Sequence, residues 1–381
     1  MFHPACLPQT LSFFAAIHDD NHLMFTLGNI SRNLGLSRRG QEIPRIVLSS
    51  VQTLEFLTSV ETSSHVLRYI VSLSIRGGEG TKMIMVRPDE LVQVLEKMEL
   101  LRKLELDRVD MESRNPRTGR FTKPPPITST FPSMRHLFMK KTHFPLFTPL
   151  DIVGMFPGLI ELSLLDLGYP MGLQLINPED SRPLRLQTLC LDSDPIVNDT
   201  LEYIAQTSSS QSLRSLSVTI WTTKNAKALG AALDVFGSTL STLHLNVEQV
   251  TMCKDDSEEL VKNLELRKCT NLSSISISFP AVSFCLPRHG LMCRWQGLPY
   301  FLKVLPPTLR FITFGFIFRS FSVVTSFASL ANRLQSVDWT QAISALKSLP
   351  HLETITFHCS EMDFTNMMNL GCWYSLNEPY V

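Results

Sequence analysis

Three side chains that can ligate metals lie close together in the sequence. Cys285, His289 and Cys293 follow one another at intervals of four residues. Tetrahedral zinc needs four ligands, which proteins commonly supply as CxxC or HxxxH pairs. The fourth ligand would have to come from elsewhere, such as Cys253 or Cys269. The spacing therefore favours scattered buried thiols over a zinc site, and we expect no metal.

The stretch RGGEGTK at 76–82 is the candidate for a phosphate-binding loop. It lacks the GxxxxGK[ST] spacing, and the MIMV that follows favours extended chain over the helix N-terminus that would attract an anion. We interpret this stretch as a turn. No GxSxG, HExxH or DxDxDG motif occurs. The sequence therefore predicts neither an enzyme nor a cofactor.

The overall composition excludes several classes of protein. The chain has 381 residues, of which 44% are hydrophobic, and its 35 basic side chains balance its 35 acidic ones. A nucleic-acid-binding protein usually has a basic excess, so the balanced charge predicts no nucleic-acid partner. The eight cysteines include no CxxC pair, which favours a reducing compartment, the cytoplasm or the nucleus. The apolar run FITFGFIF at 311–318 is shorter than the roughly 20 residues of a membrane span, so we predict a buried strand and no membrane association.

A six-residue pattern with aliphatic residues at its first, fourth and sixth positions recurs along the chain. LRSLSV at 213–218 returns as LSTLHL at 240–245, with the helical pattern TTKNAKALGAALDVFG between them. The sixth positions of four consecutive copies are 27 residues apart: Leu164, Leu191, Val218 and Leu245. A strand and a helix that repeat in this way form one turn of a solenoid, which is typical of long leucine-rich repeats.

The pattern predicts ten strands between residues 66 and 360. Their fourth positions are Leu73, Leu104, Leu137, Leu162, Leu189, Leu216, Leu243, Ile275, Ile312 and Ile355. We therefore predict an α/β fold, an irregular leucine-rich-repeat solenoid over residues 46–381. It would be a right-handed horseshoe with parallel strands on the concave face and helices on the convex face. Short-repeat families carry asparagine three residues after the sixth position. In this chain these ninth positions hold residues of many types.

The connectors between the strands read as amphipathic helices. In two of them the predicted buried faces are Leu91, Val94, Leu95 and Met98, and Ala226, Leu229, Leu233 and Phe236. Candidate N-caps precede three more: Asn198 or Asp199, Asp256 or Ser257, and Asp338. No helix of this length is stable alone, so each must pack against its neighbours.

Two stretches interrupt the repeats. Residues 112–130 are basic and include three consecutive prolines, which predicts an exposed loop. Its charges are either simply solvated or a regulatory contact for an acidic partner. Residues 284–307 contain a short helical pattern near 298–305.

Residues 1–60 lack the repeat. LPQTLSFFAAIHDDNHLMFTLGNISRNL, followed by IPRIVLSSVQTLEFLTSV, resembles the F-box proteins common in mushroom-forming fungi, in which an F-box and a connector precede irregular leucine-rich repeats. Leu7-Pro8 stands at the opening, Asp19-Asp20 at the turn and Ile30-Ser31-Arg32 at the close. Thr10 occupies the place of the usual glutamate, and Leu34 replaces an aromatic residue. Residues 1–45 thus resemble a degenerate F-box.

This resemblance implies a binding site for the Skp adaptor of a cullin ubiquitin ligase. The adaptor-binding residues would be Leu7, Pro8, Leu11, Ile17, Leu27 and Ile30. Alternatively, these residues pack as a small helical cap on the first repeat, because a solenoid must cover its exposed end.

The predicted concave face carries the residues between the buried positions, since side chains alternate along a strand. This face is rich in serine and threonine and has no dominant charge, which suits a protein or peptide partner. The candidate partner-binding residues are Phe138, Lys140, Asp192, Trp221, His244 and Glu248. Trp221 beside Glu248, or Phe138 beside Lys140, would anchor the partner. Alternatively, Trp221 covers the edge of its own repeat.

The sequence as a whole predicts a non-enzymatic protein-interaction module. The resemblance implies the substrate-recognition subunit of a Skp–cullin–F-box ubiquitin ligase, and we expect a monomer within a hetero-complex. If residues 1–45 are only a cap, the chain is instead an interaction scaffold without ligase association.

Overall fold

The computed structural model describes residues 46–48, 67–78, 83–111, 129–145, 148–168, 184–247, 254–280, 297–318, 335 and 337–361. The chain divides into two compact units. The first unit comprises Met1–Ser163 and Leu167–Ile176, and the second comprises Leu164–Asp166 and Asn177–Val381. Both units combine parallel strands with helices, so the predicted α/β class is confirmed. None of the described helices is long and apolar enough to cross a bilayer.

The described strands of the first unit are β1 (Ile46–Leu48), β2 (Ser72–Arg76), β3 (Ile84–Val86), β4 (Lys103–Asp107), β5 (Val109–Met111), β6 (His136–Lys140) and the start of β7 (Glu161–Leu165). They form a sheet in the order β1-β2-β4-β6-β7, in which β1-β2, β2-β4 and β4-β6 are parallel, and a separate parallel pair, β3-β5. The helices are α1 (Pro88–Glu96) and α2 (Pro149–Val153). The predicted buried face of α1 is confirmed, since Leu91, Val94, Leu95 and Met98 are buried.

Two strands of the first unit end in a left-handed corner. Arg108 follows β4 with φ 58°, and Lys141 follows β6 with φ 49°. A positive φ crowds the Cβ of a residue other than glycine, so the surrounding structure must hold each corner in place. The backbone N–H of Arg108 donates to the carbonyl of Lys140 at 2.8 Å. The corners send the chain into a second extended layer, in which Val109, Met111 and Phe144 are fully buried.

Thr142 occupies a ninth position, where short-repeat families carry asparagine. It is fully buried, and its hydroxyl donates to the carbonyls of Lys140 and Leu106 at 3.3 and 3.4 Å. A buried carbonyl without a partner costs free energy. Thr142 thus satisfies the backbone at the corner with a hydroxyl in place of an amide.

The second unit contains β8 (Thr188–Asp192), β9 (Ser215–Ile220), β10 (Thr242–Val247), β11 (Ser274–Pro280), β12 (Phe311–Phe318) and β13 (Thr354–Glu361). These strands are parallel neighbours in chain order. All ten predicted strands therefore form, together with β1, which the sequence placed in a connector. Equivalent residues lie opposite one another: Leu216 pairs in register with Leu189 on one side and Leu243 on the other.

The helices of the second unit are α3 (Asp194–Ala205), α4 (Thr223–Phe236), α5 (Lys254–Leu264), α6 (Leu298–Lys303) and α7 (Trp339–Lys347). α4 contacts both α3 and α5, and α6 contacts both α5 and α7. The predicted buried face of α4 is confirmed, because Ala226, Leu229, Leu233 and Phe236 are at most 1% exposed.

Two predicted helix starts are wrong. α3 begins at Asp194, before the predicted caps Asn198 and Asp199, because Pro195 is well suited to the first turn, where its missing N–H costs nothing. α5 begins at Lys254, before Asp256 and Ser257. Asp256 and Ser257 therefore lie inside the helix and not at its N-cap.

Two other helices have clear N-caps. Asp338 caps α7 as predicted, since its Oδ1 accepts from the backbone N–H of Gln341 at 3.0 Å. At α4, Thr222 and Asn225 form a reciprocal capping box. Asn225 is 1% exposed, and its Nδ2 donates to Asn198 Oδ1 of α3 at 3.0 Å. The side chain of Asn198 therefore joins two neighbouring helices instead of capping its own.

Strand β13 is the last in the order of the described sheet, and its apolar side chains are more exposed than those of its neighbour β12. Ile355 is 37% exposed and Phe357 is 56% exposed, whereas Ile312 and Phe314 at the same positions of β12 are 1% and 3% exposed. The Phe357 ring stacks on Phe314 with 5.5 Å between centroids. The positions that form the core elsewhere in the sheet are thus only half covered on its last described strand.

Candidate functional site: the open sheet faces

The candidate site in the second unit is the sheet face opposite the buried aliphatic rows, which we call the hydroxyl face. Side chains alternate along a strand, so the residues between the buried positions share this face. They are Thr188, Cys190, Asp192, Ser215, Ser217, Thr219, Thr242, His244, Asn246, Ser274, Ser276, Ser278, Phe311, Thr313, Gly315, Thr354, Thr356 and His358. All except Thr219 and Gly315 are half-buried or exposed, so the face is accessible.

The hydroxyl face carries almost no formal charge. Most of its side chains end in a hydroxyl, and it contains no lysine or arginine. Asp192 in β8 supplies its one carboxylate. The strand register brings the neutral residues Ser217, His244, Ser276 and Thr313 into one row across β9 to β12. The centre of the face is therefore polar and neutral.

Few of the hydroxyls on this face are used within the described structure. Asn246 Nδ2 donates to Thr219 Oγ1 at 3.4 Å. The hydroxyls of Ser274, Ser276 and Thr313 make no hydrogen bond to another described residue. A hydroxyl both donates and accepts. The face thus offers hydrogen-bonding groups of both kinds to a partner.

Cys190 belongs to this face as a neutral thiol. Burial raises the pKa of its thiol, the hydrogen bond with Ser217 partly offsets that rise, and the charge of Asp192 adds to it. A thiol nucleophile needs a lowered pKa. The environment of Cys190 therefore disfavours a catalytic role.

His244 lies at the centre of the neutral row. Desolvation lowers the pKa of its imidazole from 6.5, which favours the uncharged ring. His244 is nevertheless exposed, so water screens much of this effect. At neutral pH the ring adds hydrogen-bonding atoms to the face without adding a charge.

We expect His244 to reduce the stability of the second unit in mild acid. The folded-state pKa lies below the unfolded value of 6.5, so the unfolded chain binds the proton more tightly and stability falls as pH drops through that value. His244→Asn removes this loss. The measurement is the free energy of unfolding in denaturant at about pH 7.5 and about pH 5. Between these two pH values the free energy of unfolding should fall more in wild type than in the variant. Equal falls would contradict a lowered pKa for His244.

The first unit presents a different face, which we call the charged face. Its residues are Ser72, Ser74, Arg76, Lys103, Glu105, Asp107, His136, Phe138, Lys140, Glu161 and Ser163. Arg76 Nη2 lies 2.7 Å from Glu105 Oε1, and His136 Nδ1 lies 2.8 Å from Glu161 Oε2. Part of its charge is therefore paired within the face itself.

The predicted partner-binding residues fall into both units. Phe138 and Lys140 are half-buried on the charged face, where the register sets them opposite Glu105 and Asp107 of β4. Asp192 and His244 belong to the hydroxyl face. The structure thus does not gather the predicted residues into one cluster within either unit.

Trp221 follows β9 and is half-buried. Its backbone N–H donates to Asn225 Oδ1 at 3.1 Å. Its indole nitrogen is buried and has no hydrogen-bond partner among the described residues. The predicted pair with Glu248 lies outside the described residues.

Phe311 is an exposed aromatic residue that was not among the predicted anchors. It lies on the hydroxyl face and is 39% exposed, and the Arg310 guanidinium lies 5.4 Å from its ring centroid. The signal was available, because Phe311 lies between the buried positions Leu309 and Ile312. The run FITFGFIF was predicted as a buried strand, but alternation places Phe311 on the predicted concave face, and its exposure agrees with that placement.

The sequence candidates for chemistry fall largely outside the described residues. These are Cys285, His289 and Cys293, the end of RGGEGTK, most of the loop 112–130, and the F-box-like residues Leu7, Pro8, Leu11, Ile17, Leu27 and Ile30. The start of RGGEGTK is tied to the corner after β4, since Gly77 N–H donates to the Asp107 carbonyl at 2.8 Å. Within the described part of the chain, no three His, Cys, Asp or Glu side chains converge as metal ligands would.

Comparison with known proteins assigns no family. Neither protein-family models nor curated protein sequences give a match to this chain.

Proposed function

We propose that this chain is a non-enzymatic protein-recognition subunit, built as an irregular leucine-rich-repeat solenoid. The repeat spacing supports the solenoid. Leu189, Leu216 and Leu243 are 27 residues apart in sequence and lie opposite one another in neighbouring strands. α3, α4 and α5 follow β8, β9 and β10 and contact one another in the same order. Each repeat then covers the apolar face of the next, as in a solenoid.

The observation that carries the proposed function is the hydroxyl face. Six strands spaced about 4.8 Å apart make it roughly 25 Å wide. Apart from Asp192 its side chains are neutral, most of them are accessible and carry hydrogen-bonding groups, and Phe311 adds an exposed aromatic ring. Protein interfaces combine polar hydrogen-bonding groups with aromatic anchors. A phosphate backbone would require basic side chains, which this face lacks.

A pair of arginine substitutions tests recognition through this face. Ser217→Arg with Ser276→Arg places two charges in the central row, whereas Ala231→Arg places one on the exposed side of α4. We expect proteins that co-purify with wild type to be lost from the double variant and kept by Ala231→Arg, as measured by quantitative mass spectrometry. Retention of the same proteins by both variants would overturn the proposal.

The ligase role rests on the resemblance of residues 1–45 to an F-box. In this proposal Leu7, Pro8, Leu11, Ile17, Leu27 and Ile30 bind the Skp adaptor, and the sheet face holds the target. Ubiquitin transfer is then accelerated by proximity, with the chemistry supplied by partner enzymes. The alternative proposal, an interaction scaffold without a ligase, requires only the sheet face.

Adaptor binding separates these two proposals. We expect the intact chain to retain purified Skp adaptor, and a Leu7→Asp, Leu11→Asp variant to lose it, because burying a carboxylate in an apolar interface is costly. A His18→Asp, Asn21→Asp variant adds the same number of carboxylates at polar positions of the same segment and serves as the control. If the intact chain retains no adaptor, the ligase proposal fails and the scaffold proposal stands.

A further inference from the structure

We infer that the hydroxyl face selects an uncharged peptide segment of its protein partner, rich in serine, threonine, asparagine and glutamine. This inference rests on the proposed function, because it names the partner of the same face. The structural basis is the charge of the face. Between β9 and β12 every side chain on it is neutral at pH 7, and Asp192 lies in β8 at one side.

Desolvation explains why a charged segment is rejected. A partner's lysine or glutamate loses water when it is covered by the face, and no opposite charge on β9 to β12 replaces that water. Covering an unpaired charge costs several kcal/mol even after relaxation. The absence of countercharges therefore discriminates between partners without any added attraction.

Hydrogen bonding explains why a neutral polar segment is accepted. The hydroxyls of Ser274, Ser276 and Thr313 make no hydrogen bond to another described residue, and each can donate or accept. Amide and hydroxyl side chains, and the peptide backbone itself, also offer both groups. Such a segment can therefore replace its lost hydrogen bonds to water at each contact.

The size of the face favours a segment over a whole protein surface. Three side-chain rows at about 6.6 Å spacing, across a width of roughly 25 Å, give an area on the order of 400 Å². A standard protein interface buries about 800 Å² on each partner. The hydroxyl face fits a single stretch of chain, with the Phe311 ring at one side as an apolar contact.

The charged face of the first unit provides an internal contrast. Beside the paired Arg76 and Glu105 it carries Lys103 and Lys140, whose amines can pair with a partner's carboxylates. A partner segment chosen by the charged face would contain ionised residues. The two faces thus predict opposite charge content in the sequences that bind them.

Selection from a display library of random twelve-residue peptides tests the inference on the full chain. Wild type, Ser276→Arg and Ala231→Arg are each used as bait, and Ser217→Arg replaces Ser276→Arg if thermal unfolding shows that variant to be misfolded. Peptides bound by wild type and Ala231→Arg, but not by Ser276→Arg, depend on the hydroxyl face. We expect Asp, Glu, Lys and Arg to be depleted in them roughly tenfold relative to the library, since about 1.4 kcal/mol is worth a factor of ten.

The possible outcomes distinguish the preference for uncharged segments from recognition through the hydroxyl face. If face-dependent peptides contain charged residues at the library frequency, the inference is overturned and the proposed recognition through this face stands. If no peptide distinguishes wild type from the face variant, recognition through the face fails and the inference falls with it. The affinity of a selected peptide should also change less than about twofold between low and high salt, because no charge pair is there to be screened.

Discussion

Replacing Gly230 by alanine is expected to destabilise the second unit by about 2 kcal/mol, although alanine is the better helix former by about 1 kcal/mol. A Cβ at position 230 of α4 would lie 1.7 Å from the backbone oxygen of Asn263 in α5. Overpacking costs about 1–3 kcal/mol and occasionally more. A helix carbonyl cannot rotate away, so we expect a large cost. The measurement is the denaturant midpoint followed by circular dichroism.

Gly154→Ala is the matched control for this substitution. Gly154 is the C-cap residue of α2, and a Cβ there would meet its nearest atom, the Leu150 oxygen, at 3.5 Å. That is an ordinary contact, so alanine should leave stability unchanged or raise it by a few tenths of a kcal/mol. Equal shifts in the two variants would show that the close approach of α4 and α5 is not what makes Gly230 necessary.

Leu243→Ala is expected to cost about 2–5 kcal/mol, the range for emptying a fully buried leucine site. Leu243 is 0% exposed and lies in register between Leu216 of β9 and Ile275 of β11. Its loss opens a cavity between both neighbouring strands, and these strands cannot close around it without breaking their pairing. Chemical denaturation of the full chain measures the loss of stability.

Ile355→Ala removes an aliphatic side chain from the same position of β13, where the residue is 37% exposed. We expect a cost of about 1 kcal/mol, because less apolar surface returns to water and no closed cavity forms. The ratio of the stability losses in Leu243→Ala and Ile355→Ala tests whether the aliphatic row is covered less completely at β13 than at β10. A loss at Ile355 as large as that at Leu243 would mean that this strand is covered more completely than the described residues show.

The buried rows of the fold could be predicted from the sequence because burial and strand alternation produce a periodic pattern of apolar residues within each element. The spacing of Leu213, Leu216 and Val218 repeats wherever a strand enters the core, and a helix leaves the same kind of trace in Ala226 and Leu229. These patterns depend only on which side of an element faces the core. Each of the ten predicted strands is accordingly present.

Other features could not be predicted because they depend on residues distant in the sequence. β1 is three residues long, and only its pairing with Leu73–Ile75 makes it a strand. Arg108 and Lys141 are ordinary residues by type, and nothing in their local sequence indicates a positive φ angle. The first turn of α3 was missed because Asp194-Pro195 also reads as a loop.

The site was predictable in composition but not in arrangement. The serine- and threonine-rich character of the face follows from alternation, and so does the placement of Asp192 and His244 on it. The separation into a charged face and a hydroxyl face became visible only once the strands were assigned to units. Trp221 and Phe138 were predicted as anchors because aromatic residues anchor interfaces. Nothing in the sequence separated them from Phe311, since the exposure of an aromatic ring depends on how the neighbouring strands cover it.

The half-covered β13 has a consequence for the behaviour of the protein at high concentration. Among the described strands it has a neighbour on one side only, and its first five residues, Thr354–His358, carry no acidic or lysine side chain. Edge strands of this kind are templates for the addition of further β-structure, and natural proteins usually guard them with lysine, proline or a bulge. Self-association that grows with protein concentration would therefore begin at this rim of the second unit.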